Sequence, residues 1–497
     1  MSRIHAASKP VSVSRALAQD RLGVPAVLFF VLAGVAPLTV AAGVIPTAYA
    51  TTGLTGIPAA FLVIAVILAL FATGYVAMTR YITNSGAFYA FISRGLGRVP
   101  GVAAALVALL SYTLLQVGLY GAFGPNAASL AAAHLGVHAA WWAWALGAWA
   151  VITVLGLLRV DITGRVLGVL LTAEVAVIVG ETVAGLARPA GGHLSFATLS
   201  PAALGSAGFG TFGVLAVVAV LGYVGFEQAP VLAEEAKHPK RTIPVATYAA
   251  LGAIAVVYAG AAWAMAAHAG DTHVVATAGQ EGPGLLFTLG GTVLSQTAQI
   301  LFLTSLFAAA LAFHNTCWRY MFALGREGVL PAALGRTGGN NIPKTASLVQ
   351  SLTGLVTITV YALAGWQPMT FMFFWLGTTG GFGILLLLAV TAVAVIVFFG
   401  RDPRGEPAWV RMTAPALAAT LLAGIIVLAV WHYNILLGVR AGAVAAWALP
   451  AGYAAVATIG AGWGLVLRAR RPGVYDTIGL GAHAVTGRYA PAAGDAR

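Results

Sequence analysis

Twelve runs of about twenty mostly apolar residues, each long enough to cross a bilayer, recur along the chain, and two of them are interrupted from within. The first interrupted run reads FFVLAGVAPLTV, Phe29 to Val40, with Gly34 and Pro37 inside it. The second reads VLGYVGFEQAPVL, Val220 to Leu232, and holds Gly222, Gly225, Glu227 and Pro230. Glycine and proline both weaken a helix, and proline also leaves the carbonyl four residues before it without a donor. In lipid, backbone groups freed in this way are tolerated only where they are buried in protein or line a cavity. Four uninterrupted runs separate the two, so they are the first and the sixth. Matched interruptions in two halves of a chain point to the binding site of a carrier built from inverted repeats.

The runs lie near 24–48, 57–79, 100–122, 140–158, 165–186, 211–233, 243–267, 292–317, 346–364, 371–399, 413–432 and 443–467. Of the 497 residues 60% are hydrophobic and 8% charged, against roughly 25% charged residues in a soluble domain. A soluble enzyme is excluded. The one cysteine, Cys317, cannot close an intrachain disulfide or build a cysteine metal cluster. Ala48-Tyr49-Ala50 resembles a signal-peptide cleavage site, but the apolar stretch before it exceeds the ~7–15 residues of a signal core, and eleven runs follow. Neither HExxH nor the phosphate-cradling Gly-x4-Gly-Lys-Ser/Thr occurs. The chain is therefore not expected to be an enzyme or to bind a cofactor, and its energy would come from an ion gradient or from exchange.

The net charge of +12 sorts by loop. Of the 26 Lys and Arg, only Arg188 and Arg440 fall in odd-numbered loops. The rest, among them Arg15, Arg94, Arg98, Lys237, Arg241 and Arg468, lie at the N-terminus, in even-numbered loops or in the tail. Basic residues accumulate on the cytoplasmic side. Both termini are then cytoplasmic, the basic excess is a topology signal, and nucleic acid is not a partner. The expected fold is an all-α integral membrane protein of 12 transmembrane helices. Residues 1–23 form a cytoplasmic segment, 24–210 a first repeat of five helices, and 211–400 a second, inverted repeat. Residues 401–467 add two helices, and 468–497 form a flexible cytoplasmic tail.

Three segments carry a family resemblance: Tyr223 to Pro244 (YVGFEQAPVLAEEAKHPKRTIP), Arg319 to Pro331 (RYMFALGREGVLP) and Gly86 to Ile92 (GAFYAFI). They resemble the amino acid–polyamine–organocation permease superfamily at its sixth span and following loop, at the end of its eighth span, and after its second. The resemblance spans about residues 24 to 400. It implies a secondary carrier of amino acids or related amines, working by alternating access. Two departures stand out. Ala33-Gly34-Val35-Ala36-Pro37 replaces the Gly-x-Gly-Ile-Phe of many members, and Glu174 occupies the fifth-span position where many members carry lysine.

Glu174 and Glu227 are the sharpest constellation. Glu174 is nine residues from Arg165 and Glu227 ten from Lys237. At the helical rise both lie roughly 14–15 Å deep, near the middle of a ~30 Å core. An ionised carboxylate at that depth costs at least about 2.5–3.5 kcal/mol. Glu174 reads as the coupling site for a proton, with sodium as the alternative because a carboxylate also suits a hard cation. The competing reading is a neutral side chain bonded to a freed carbonyl. Glu227 reads equally as a partner for a substrate ammonium and as an acceptor for the unwound backbone beside it. The expected substrate site comprises Gly34, Val35 and Ala36, whose segment would offer unpaired amides to a carboxylate, with Gly222, Tyr223, Gly225, Phe226 and Glu227.

Weaker candidates are His314, read as hydrogen-bonded structure, and Glu181, read as snorkelling to the interface. Tyr112 and Gln116 either line the cavity or pack between helices. The basic run Lys237–Arg241 is first a loop, with ion pairing to Glu234 and Glu235 across an inner gate as its second reading. The function expected is proton-coupled import of an amino acid or related amine across the plasma membrane, with an amino acid/polyamine exchanger as the alternative. The expected partners are that small substrate and the lipid bilayer, for a monomer or weak homodimer.

Overall fold

The computed structural model describes Leu17 and residues 20–158, 160–204, 209–338 and 342–481, with the backbone alone at 160–167 and 209–210. Arg15 and the tail beyond residue 481 lie outside the described residues. Regular structure among those described is helical, apart from one isolated parallel bridge between Leu22 and Ala236. The principal helices are α1 (Val24–Val35), α2 (Ile57–Thr79), α3 (Ala87–Gly95), α4 (Arg98–Leu135), α5 (Trp141–Gly156), α6 (Val160–Leu186) and α7 (Phe209–Tyr223). They continue with α8 (Pro239–Ala269), α9 (Thr292–Arg326), α10 (Lys344–Leu363), α11 (Gly377–Arg401), α12 (Ala414–Trp431), α13 (Val444–Arg470) and α14 (Pro472–Thr477).

Eleven helical segments among the described residues are long and apolar enough to cross a membrane. The twelfth expected run, α5, has 16 residues. At the helical rise that is about 24 Å, short of a ~30 Å hydrocarbon core. The outer faces are apolar, as lipid requires: Trp447 and Ile459 of α13 and Val256 of α8 are exposed. The inward faces of α2, α4, α7, α8, α9 and α11 form one continuous core.

The backbone leaves the α-helix inside both Gly/Pro-bearing runs. α1 stops at Val35 because Ala36 takes a left-handed conformation, φ 54° and ψ 67°. A residue before proline is disfavoured in the helical region, and Pro37 supplies no amide. The chain then makes one turn, Pro37–Thr39, a π-helical stretch, Val40–Val44, and a last helix, Ile45–Thr52. In the second run α7 ends at Tyr223, Gly225 sits at φ 123°, and a 3-10 turn carries Phe226–Leu232.

The two departures pack backbone against backbone. A Cβ on Gly225 would lie 2.6 Å from the Val35 nitrogen and 2.7 Å from the Gly34 carbonyl carbon. One on Gly34 would lie 2.7 Å from Nε2 of Gln228. These glycines serve the close approach of two chain segments, and at Gly225 the positive φ as well.

Candidate functional site

A cavity of about 160 Å³ lies against the first departure. Gly34, Val35, Ala36, Thr39 and Val40 form one wall. Val218, Leu221 and Val224 of the second run face them, with Leu115 and Leu119 from α4 and Ala309 and Phe313 from α9. Phe373, Phe374, Gly377 and Thr378, where a π-helical stretch (Pro368–Leu376) meets α11, complete it. Only the hydroxyls of Thr39, Thr47 and Thr378 are polar side-chain groups, and no charged side chain among the described residues lines it.

Three of the eight expected substrate residues, Gly34, Val35 and Ala36, line this cavity; Gly222, Tyr223, Gly225, Phe226 and Glu227 do not. The Tyr223 hydroxyl donates to the Phe61 carbonyl at 2.8 Å, and Phe226 meets the Phe71 ring edge-on. Val218, Leu221 and Val224 present the inward stripe instead, three residues apart, a helical spacing legible in the sequence. Tyr112 and Gln116 also face elsewhere. Gln116 donates to Tyr120 at 2.9 Å and accepts from Gln350 at 2.7 Å.

Glu227 is fully buried and its carboxylate is satisfied. Oε2 accepts the Gly225 amide at 2.8 Å and Oε1 accepts the Tyr112 hydroxyl at 2.9 Å. Its carbonyl accepts from Tyr75 at 2.8 Å. The residue thus caps the backbone freed at its own helix break.

Glu174 is equally buried, 1% exposed, yet neither carboxyl oxygen has a hydrogen-bond partner among the described residues. It faces the Ser305 hydroxyl and the Leu38 amide without closing a bond to either. Leu38 follows Pro37 at the start of the resumed helix, so its N–H has no intrahelical acceptor. The next amide, Thr39, and the Thr39 hydroxyl both reach Oγ of Ser305 at 3.2 Å. Of the amides expected to be unpaired near residue 36, one therefore faces Glu174 and one is taken by Ser305. Thr39, Ser305 and Glu174 form a polar line from the cavity wall to a carboxylate just behind it.

Residues 26–464 match the family model for amino acid permeases. The chain belongs to that family. Among similar proteins, the branched-chain amino acid permease BcaP of Lactococcus lactis subsp. cremoris is 25% identical over 201 residues, 39% of this chain and 42% of that protein. The aromatic amino acid transport protein AroP of Escherichia coli K12 is 27% identical over 177 residues, 34% of each chain. AroP of Salmonella typhimurium LT2 matches to the same extent. The matched stretches span less than half the length of these relatives.

The three resemblance segments of this permease meet at one end of the bundle. Arg326 at the end of α9 forks onto Glu234 with two bonds of 2.7 Å, and Glu234 also accepts from the Ser85 amide at 2.9 Å and hydroxyl at 3.1 Å. Burial pushes the Glu234 carboxyl up, but the Arg326 guanidinium and the Ser85 donors outweigh it and hold the group below its ordinary range. Arg319 pairs with Glu235 at 2.7 Å and lies over the Trp318 ring at 4.1 Å. The Glu235 carbonyl accepts the Arg21 amide at 2.9 Å and the Leu22 amide at 3.0 Å. The acids after the second departure thus pair with α9, and the run Lys237–Arg241 is not their partner.

The remaining candidates, His314 and Glu181, do not line the cavity. His314 meets the Ser347 hydroxyl at 3.0 Å, buried beside Gly156 of α5. Glu181 is 0% exposed, and its Oε2 accepts the Gly290 amide at 2.5 Å, anchoring the start of α9 where snorkelling is expected.

Proposed function

We propose that this permease is a secondary transporter that moves a neutral amino acid with an apolar side chain across the plasma membrane, coupled to protons through Glu174. The observation that carries the reading is the pairing of an apolar cavity with the unpartnered carboxylate behind its wall. The cavity matches in size the ~150 Å³ apolar cavity that accepts benzene, which suits one branched or aromatic side chain. The relatives named for branched-chain and aromatic amino acids point the same way. A polyamine or cationic amine fits poorly, since Glu227 is engaged by Tyr112 and Gly225 and stands off the cavity.

The coupling follows from electrostatics. The helix resumed at Pro37 points its N-terminus, a favourable place for an anion, at the Thr39 wall. A substrate carboxylate seated there would compete for amides that also face Glu174 and Ser305. Two carboxylates so close cannot both stay ionised in a medium of low dielectric. Substrate binding would therefore draw a proton onto Glu174, and release of one would favour release of the other. The frame for this cycle is twelve spans arranged as two inverted repeats of five plus two, with both termini cytoplasmic. The interrupted first and sixth spans and the loop distribution of Lys and Arg support that arrangement.

The test is uptake of labelled leucine, phenylalanine, lysine, glutamate and putrescine into proteoliposomes. Conditions are no gradient, an inward proton gradient or an inward sodium gradient. Accumulation of leucine or phenylalanine that needs the proton gradient is expected. Accumulation driven by sodium alone would replace the proton, and uptake that appears only with preloaded substrate would make the protein an exchanger. Putrescine accumulation would overturn the substrate class.

A further inference from the structure

The chain does not end its structured course at the last membrane-length helix. A flexible tail is expected there; instead α14 follows α13 directly and the segment through Gly481 is docked. Its seat is built around Glu327, the residue after α9, which is 2% exposed. Oε2 of Glu327 accepts the Gly479 amide at 2.7 Å and Oε1 the Gly481 amide at 2.7 Å. The same two oxygens hold the Tyr89 hydroxyl at 2.5 Å and the Asn84 amide at 2.9 Å. One carboxylate therefore joins three pieces of chain: the end of α9, the connection from α2 into α3, and the tail.

The fit is specific to backbone. Gly479 and Gly481 sit at φ 80° and 61°, and a Cβ on either would come within 2.9 Å of Ser93 or of the Thr83 carbonyl. The Thr477 hydroxyl donates to the Glu327 carbonyl at 2.9 Å. Arg98 at the start of α4 pairs with Asp476 at 2.7 Å and stacks on Tyr475. Next door, Arg326 and Ser85 share Glu234, just beyond the second departure. The tail thus sits on the ion-paired end of the bundle where α9, the 84–89 connection and the exit of the second departure converge.

We propose that residues 472–481 are an autoinhibitory strap, which holds the 84–89 connection against the end of α9 and keeps this end of the bundle shut. Opening here requires Asn84 and Tyr89 to leave Glu327. With the strap tethered to both Glu327 and Arg98, that separation must also release either the two backbone amides or the Arg98–Asp476 pair. The strap lies beyond the last membrane-length helix, so it can lift without disturbing a span. This inference rests on the transport reading, and its first readout is independent of it.

The experiment compares the full chain with a chain ending at Arg471 and with Gly479→Val, which keeps the full length but cannot seat. Hydrogen exchange is measured on the purified protein with no substrate, followed by uptake in proteoliposomes. No hydrogen bond or ion pair among the described residues links 230–236 or 21–24 to the strap, and they are expected to exchange about tenfold faster in both variants, as local opening becomes easier. The maximal uptake rate should rise several-fold with KM unchanged. Faster exchange confined to 84–93 and 327–329, with uptake unaltered, would overturn the strap. So would a fall in uptake in a variant that melts like the full chain, because the segment would then be a brace. If the truncated chain does not fold, Gly479→Val decides. Should no substrate be transported by any form, the exchange data still test the strap, and only the transport reading falls.

Discussion

Glu174 and Glu227 are both buried, and both sit beside a departure from α-helix, yet their surroundings are opposites. Glu227 has used its two oxygens: one on the amide freed at Gly225, the other on Tyr112. Glu174 has used neither. Buried polar groups are normally satisfied, and one left unsatisfied in a native fold needs a reason. For Glu227 the bonds give a structural reason, since one of them satisfies the Gly225 amide freed at its own helix break. For Glu174 the structure offers donors that stop short, Ser305 and Leu38. A group held among donors without closing on them is suited to change partner during a cycle. Burial alone therefore does not separate the two acids; the state of their hydrogen bonds does.

The sharpest way to break this contrast is Glu174→Gln. Gradient-driven accumulation should fall to background, a loss of about a hundredfold or more, while counterflow between equal pools persists. Wild-type accumulation in that variant would end the coupling role. Ser305→Ala sharpens the same side. It removes the acceptor that holds Thr39 and the hydroxyl facing Glu174, and about a fivefold drop in proton-driven uptake is expected, on the order of one lost bond between neutral groups. Equal initial rates in both proteins would show that the polar line carries nothing.

Glu227→Gln tests the other side. Glutamine can still accept from Tyr112, but its NH2 group cannot accept the Gly225 amide. Stability should drop by about 1–3 kcal/mol, read as a lower Tm, while KM for the transported amino acid stays within about twofold. A large rise in KM with unchanged Tm would return Glu227 to substrate recognition.

How far such differences can be read in advance depends on what sets them. The helix interruptions are local chemistry: Ala36 before Pro37, and a positive φ at Gly225, follow from residue types. Membrane-length runs are equally local, and eleven of the twelve appear as such helices among the described residues. The cavity wall is less so. Gly34 to Ala36 are legible because they flank the break, whereas Gly222, Tyr223, Gly225, Phe226 and Glu227 flank the second break without lining the cavity. Its i, i+3 stripe, Val218–Leu221–Val224, starts in the preceding helix and ends one residue past it. The partners of the acids were not legible at all. Glu234 and Glu235 have basic residues close behind them in sequence, yet they pair with Arg326 and Arg319 on a helix some ninety positions away. The π-helical stretches at Val40–Val44 and Pro368–Leu376 have no residue signature comparable with Pro37.

Glu234 extends the comparison to an acid outside the spans that has a cation for a partner, and it gives the smallest effect. Its carboxyl is held below its ordinary range because Arg326 and Ser85 outweigh the cost of burial. A group whose folded pKa is depressed adds stability that is present above its unfolded value, ~4.3 for glutamate, and lost as pH falls through the lower folded value. In Glu234→Gln that contribution is absent at every pH. The Tm of the full chain should therefore exceed that of the variant at neutral pH, and the gap should hold down to roughly pH 5 and close only below the unfolded value. A gap that instead closed between pH 8 and 6 would mean that a different group governs this end of the bundle, because no depressed carboxylate titrates there. A gap independent of pH throughout would mean that Glu234 contributes through shape and not charge, which would set it beside Glu227 among the acids that only hold backbone in place.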